Sequence, residues 1–174
     1  PQGLDILFSE DKIEHGRNFM NKLWNSARFV EMNMDDDVNG DLSTISKDDL
    51  DPTDRWILSK LNSTILEVDT AYASYRMNDA VKSVYDFVYK NFCAWYIEFS
   101  KSRFYGTDDK DKAIAQKVCL HVLETILKLM HPYCPFITEE IWSHLNKDEM
   151  LINAAWPILN NNRIDSKIEN ELSI

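Results

Sequence analysis

Glycine and proline are scarce. The chain has four Gly and five Pro among 174 residues, and three of the Pro (Pro132, Pro135 and Pro157) fall after residue 130. With so few breakers, the first three-quarters is predicted to be dominated by long helices. Cysteine is also sparse. Cys93, Cys119 and Cys134 are spaced far from any zinc pattern, and an odd count gives no disulfide framework. They are expected to be thiols packed as small hydrophobes. No apolar run approaches the roughly 18 residues of a membrane span. Residues 1–30 carry charges throughout, so no signal peptide is expected, and a cytoplasmic location follows. Positive charge is in deficit: the formal net charge is -10. That excludes a generic nucleic-acid-binding surface, so an RNA role would need a local basic face on an acidic body. Gly-rich phosphate loop, metal-ligand cluster and nucleophile elbow are all missing from the sequence.

What is present is apolar matter in helical order. Hydrophobic residues make up 44% and aromatics 11%, enough to fill a core. Residues 1–8 read as an extended lead-in. Ser9 is predicted to cap a helix from Glu10 to Met32, with Glu10 and Asp11 in its first turn, where the dipole favours them. Residues 33–50 are acidic and aperiodic and read as a solvated loop. Asp51, Pro52 and Asp54 mark the next start, and Ile57, Leu61, Ile65, Val68 and Tyr72 follow at helical spacing to about Tyr75. A third helix runs from about Asn78 to Tyr105, closed by Gly106. A fourth runs from Thr107 and Asp108 through Met130, with Leu120, Leu123, Leu127 and Met130 inward. HPYCPF (131–136) breaks it before a short fifth helix to about Leu145. Leu151, Ile152 and Trp156–Pro157 suggest an extended segment laid back on the bundle. The expected fold is all-α, an antiparallel bundle of four long helices plus a short fifth. Residues 1–157 form the domain, and 158–174 are a polar, frayed tail or the start of a following segment.

The titratable groups are dispersed. His131 reads as a corner residue, and His121 and His144 lie on helices without an evident Cys or His partner. Glu139 and Glu140 sit in the first turn of a helix, where the dipole alone accounts for them. No bond-making chemistry and no metal site are expected. Binding stripes are more informative. On the first helix Ile13, Gly16, Met20, Leu23, Trp24 and Ala27 mark a core face. Asn18, Lys22, Asn25 and Phe29 fall on roughly the opposite side, with Arg17, Asn21 and Arg28 beside them. An aromatic ring among amides and cations suits base stacking with phosphate neutralisation; alternatively, Phe29 covers the following loop. On the third helix Val81, Val84, Val88, Phe92, Trp95 and Phe99 mark the core. Lys90, Ala94, Ile97, Lys101 and Phe104 form a stripe on the far side, with Glu98 beside it. The alternative is that a loop or neighbouring domain packs there. The two stripes are expected to face one groove.

The strings RNFMNKLWNSARF (17–29), DRWILSKLN (54–62), FCAWYIEFSKSRFYG (92–106), HPYCPFITEEIW (131–142) and AWP (155–157) resemble the anticodon-binding domain of valyl-tRNA synthetases, in the family's order and over about residues 3–157. Isoleucyl and leucyl synthetases have related bundles, but N-K-L-W-N and W-Y-I-E favour the valyl type. Ser100-Lys101-Ser102 is like the end of the lysine-serine signature of these enzymes, but it lies deep in a helix rather than in a flexible loop. The resemblance implies a bundle that receives the anticodon stem-loop of tRNA(Val). It maps base stacking to Phe29 and anticodon contacts to Ile97 and Glu98. Where the family usually has an acidic residue after F-C, this chain has Ala94. Where a basic residue is common near the start of the first helix, it has Asp11 followed by Lys12, the nearest candidate for that contact. The resemblance also implies a parent ligase that uses ATP with magnesium in a catalytic domain of the same polypeptide; this chain carries none of that domain's ATP signatures, so the fragment alone is expected to be inactive and monomeric. The competing class is a non-catalytic protein-interaction bundle, whose interface would want a contiguous apolar patch with few charges at its centre.

Overall fold

A computed structural model describes residues 9–145 and 149–172, and the expected lead-in at 1–8 lies outside them. Every regular element among the described residues is helical. Helix α1 spans Glu10–Met32, with Ser9 extended at its N-cap but making no side-chain capping bond. Helix α2 spans Pro52–Ala73. Its start is a capping box: Asp51 accepts from the Thr53 amide at 2.8 Å, and Asp54 accepts from the Asp51 amide at 3.3 Å. Pro52 takes the first position, where its missing N–H costs nothing. The chain reverses at Tyr75, which holds φ 56 while the Arg76 amide donates to the Ala71 carbonyl at 2.8 Å.

The third rod is continuous but not uniform. It consists of α3 (Met77–Asp86), a π-helical stretch (Phe87–Tyr96) and α4 (Ile97–Phe104). Helix α5 (Asp109–Met130) begins where Asp108 accepts from the Lys110 and Asp111 amides. Helix α6 covers Pro135–His144, and α7 covers Ser166–Glu171. Contacts fix the directions. Phe19 stacks near Tyr85 and Phe29 near Phe104, so α1 runs parallel to the third rod. The α2–α3 and α4–α5 turns are tight reversals, and Tyr72 meets Tyr133 at 2.6 Å, so α2 and α5 are parallel. The four long rods therefore alternate in direction, the expected antiparallel bundle. Helix α5 is its axis: Ala115, Val118, Cys119, Val122, Leu123, Ile126, Leu127 and Leu129 are fully buried.

One polar network ties the rods at the Asp54 end. Arg103 donates to Asp54 at 2.7 Å and to Asp111 at 2.9 Å, and the Tyr96 hydroxyl donates to Asp54 at 2.6 Å. Burial pushes the Asp54 carboxyl up, opposed by Arg103 and the Tyr96 hydroxyl. So this acid, which the sequence marked only as part of a helix start, is fully buried and joins α2 to the third rod and α5.

Several expectations need correction. On α1, Ile13 is 58% exposed and Gly16 is exposed, while Phe19, Ser26 and Val30 are buried with Leu23 and Ala27. Every residue from Glu10 to Asn18 is exposed, so a core periodicity read from the first turns has nothing to pack against. On the third rod, Val81 and Trp95 are exposed, and Ile97 and Phe104, placed outward by the pattern, are buried. The π-helical stretch explains the inversion for Trp95, Ile97 and Phe104, but not for Val81, which precedes it on α3. Its i→i+5 turns advance each residue by less than an α-helix does, so a stripe extrapolated at α-helical spacing is out of phase beyond it.

The 33–50 loop is anchored rather than merely solvated. Leu42 is buried, Gly40 O lies 2.9 Å from His121 Nδ1, and the Gln116 amide donates to Asn33 O at 2.7 Å. A short 3₁₀ turn, Lys47–Asp49, interrupts it. Residues 158–172 are not frayed. The Asn160 amide donates to buried Asn62 at 2.8 Å, the Asp165 amide to Ser59 at 2.7 Å, and Lys60 pairs with Glu169 at 2.9 Å. Ile168 is buried against the core. Trp156 lies back on the bundle as expected, its indole N–H donating to Asp69 at 3.0 Å.

Candidate nucleic-acid interface

Between α1 and the third rod lies an open groove of about 430 Å³, lined by Asn18, Asn21, Lys22, Asn25, Ser26, Phe29, Cys93, Ile97, Glu98 and Lys101. The stripe Asn18, Lys22, Asn25 and Phe29 forms one wall because those positions recur on one face of α1. Ile97, Glu98 and Lys101 form the other wall at the start of α4. Thus Asn18, Asn21, Lys22, Asn25, Phe29, Ile97, Glu98 and Lys101, all singled out from sequence, come together. Arg17, Arg28 and Lys12 do not line it. Arg17 is exposed and paired with Glu14 at 2.8 Å. Arg28 lines a separate recess with Trp24, Glu31 and His144, toward α6. Lys12 lies on the exposed first turns of α1.

The floor is apolar. Ile97 is 5% exposed, and Phe29 is half-buried, stacked against Phe104 at 5.8 Å between ring centroids. Phe29 is therefore a core-backed ring that opens onto the groove, not a ring standing clear of the core as its stripe suggested. Lys101 lies 5.7 Å from the Phe29 centroid while its ammonium pairs with Glu98 at 2.7 Å. Lys22 donates to the Tyr89 carbonyl at 3.3 Å and sits 3.8 Å over the Tyr89 ring. Two lysines against one carboxylate make this groove locally cationic on a chain of net charge -10. Sequence reasoning missed Ser26, Cys93 and Tyr89. The first two form part of the floor, and Tyr89 aims Lys22. Tyr85 and Tyr89, one turn apart and stacked at 5.7 Å, were the available signal. Burial pushes the Cys93 thiol up, which keeps it a neutral hydrophobe rather than a nucleophile.

Chemically, the groove offers amides that both donate and accept, an aromatic ring and two ammonium groups. Amides read base edges, the ring stacks a base, and ammonium groups neutralise phosphate. The other candidate groups have structural occupations. Glu139 accepts from the Leu151 and Ile152 amides, and His131 Nδ1 lies 2.9 Å from Thr138 Oγ1. His144 meets Trp24 edge-on.

The chain has relatives among known proteins and solved structures. Valine–tRNA ligase of Bacillus cereus strain ATCC 10987 is 38% identical over 179 residues, covering 99% of this chain and 19% of the relative. That of Petrotoga mobilis is 41% identical over 175 residues, covering 99% and 20%. The chain thus spans about a fifth of the length of these curated relatives. The fold is shared with LeuRS in the ternary LeuRS–tRNA–LeuAMS complex of Agrobacterium radiobacter K84, at TM-score 0.67 and 16% identity over 92% of this chain and 18% of that one. Residues 54–174 match the family described as the anticodon-binding domain of tRNA ligase, and the chain belongs to that family.

Proposed function

We propose that the groove between α1 and the third rod receives the anticodon loop of tRNA(Val), in the service of a valine–tRNA ligase whose catalytic domain belongs to the same polypeptide outside these residues. The observation that carries this reading is the convergence of Phe29, Ile97, the Asn18–Asn21–Asn25 amides, Lys22 and Lys101 on one open groove. Phe104 backs the Phe29 ring, which presents its open side to an unstacked base. Asn21 and Asn25 face base edges, Glu98 accepts from an exocyclic amino group, and Lys22 and Lys101 neutralise the backbone. A protein interface would centre on a wider apolar patch than Phe29 and Ile97 supply.

In this reading ATP and magnesium are bound by the catalytic domain. The present chain has no Gly-rich phosphate loop, and among the described residues no group of three or more His, Cys, Asp or Glu is placed to hold a metal ion. No chemical step is assigned to it. The domain acts as a monomer in the cytoplasm, and no helix among the described residues is long and apolar enough to cross a membrane. The 174-residue chain alone is expected to give no valine-dependent pyrophosphate exchange, and measurable exchange would contradict that.

The test of the site uses the ligase that carries this domain. Phe29→Ala should raise KM for tRNA(Val) while leaving valine-dependent pyrophosphate exchange unchanged. An unchanged KM together with a lowered melting temperature would make Phe29 a packing residue and sink the assignment.

A further inference from the structure

A second cavity, of about 220 Å³, lies where the 45–50 segment, the first turns of α2 and the 160–165 segment meet. It shares no lining residue with the groove. Its walls are Ile45, Leu50 and Leu58, and its polar lining is Lys47, Arg55, Arg163, Asp165 and two asparagines. Three cations against one carboxylate is an unusual concentration in a chain with 19 Lys and Arg against 29 Asp and Glu.

Two of the three cations keep unmet donors, while Lys47 pairs loosely with Asp165. Arg55 Nε and Arg163 Nη1 are buried and have no hydrogen-bond partner among the described residues. Arg103, by contrast, is held by two carboxylates. Burial pushes the Arg163 guanidinium down, with nothing compensating. Asp165 is already occupied: one oxygen accepts from the Ile168 amide at 3.3 Å as the cap of α7, and the other lies 3.7 Å from Lys47. A buried guanidinium N–H without an acceptor is costly, and an oxyanion satisfies it with charge-assisted bonds.

We propose that this cavity is a phosphate site, with Arg55 and Arg163 donating N–H bonds from α2 and from the 160–165 segment, and Lys47 closing the third side. A tetrahedral oxyanion accepts from several directions at once, which suits donors contributed by three separate segments. The phosphate comes either from a small free phosphate compound or from an RNA backbone. The site stands on its own lining and does not require the groove to bind RNA.

The experiment is a titration of the 174-residue chain with inorganic phosphate at constant ionic strength, with chloride as the matched control. The readouts are the arginine Nε–H NMR resonances and the melting temperature. Phosphate should shift the Arg55 and Arg163 resonances saturably in the millimolar range and raise the melting temperature, and chloride should do neither. Lys47→Gln, at an exposed side chain, should weaken phosphate binding several-fold. Arg163→Gln should abolish it, while Lys22→Gln in the groove should leave it intact. Adding an anticodon stem-loop distinguishes the sources: displacement of phosphate marks an RNA backbone contact, and simultaneous binding marks a small-molecule site. Equal responses to phosphate and chloride, or a wild-type phosphate response retained in both Lys47→Gln and Arg163→Gln, would overturn the proposal.

Discussion

Phe29 has two environments, and its substitutions separate them. One side stacks on Phe104 within the core, and the other opens onto the groove. Phe29→Ala should therefore cost the fold about 1–2 kcal/mol, less than a fully buried Phe truncation, and also weaken RNA binding by about 1–3 kcal/mol. Phe29→Leu retains most of the packing and loses the stack, so it should lower RNA affinity with a smaller loss in urea midpoint. Equal affinity for wild type and Phe29→Leu would assign the ring to packing alone. Lys22 acts differently, because Tyr89 holds its ammonium beside the groove through ring and carbonyl. Lys22→Gln should reduce the salt dependence of RNA binding by about 0.7 in the slope of log K against log salt. The position of Phe29 was legible from its neighbours at helical spacing. Its half-burial was not, because a single helix does not reveal that Phe104 of another rod will reach under it.

Among the elements, the third rod shows where sequence periodicity stops being sufficient. Strict α-helical spacing placed Trp95 inside and Ile97 outside, and the π-helical stretch reverses them: Trp95 is 43% exposed and Ile97 is 5% exposed. Ile97→Ala should cost about 2–3 kcal/mol, within the range for buried aliphatics, and more than Trp95→Ala despite the larger side chain lost there. The reverse order in thermal or chemical unfolding would mean that the phase is wrong. Starts and stops were easier to read than phase. Asp51–Pro52 and Asp108 are local capping signals whose partners lie within three residues. Asp54 shows the limit of that local view, since its partners Tyr96 and Arg103 are distant in sequence. Arg103→Met should destabilise by about 3–5 kcal/mol at neutral pH by leaving that carboxylate buried and unpaired. The loss should shrink as pH falls and Asp54 takes up a proton, and a loss independent of pH would contradict the charge account.

The whole molecule is an acidic body with anchored margins. The 33–50 loop is latched by His121 at Gly40, and the 158–172 segment by Asn62, Ser59 and Lys60. Neither latch was legible, because polar, aperiodic sequence reads as solvent-exposed until its long-range partners are known. Burial pushes the His121 imidazole down. A group whose folded pKa is depressed contributes stability above its unfolded pKa, about 6.5 for His, and that contribution is lost as pH falls below it. Wild type should therefore lose more stability than His121→Gln between neutral pH and about pH 5; parallel losses in urea unfolding would remove His121 from the account. The central claim is that the groove between α1 and the third rod is where RNA binds. Backbone amide chemical-shift mapping of the 174-residue chain against a tRNA(Val) anticodon stem-loop tests it most directly. The account predicts saturable shifts concentrated at Asn18–Phe29 and Cys93–Lys101, weaker with a loop of altered anticodon. Saturable shifts that spare both segments, or that are indifferent to the anticodon sequence, would contradict it.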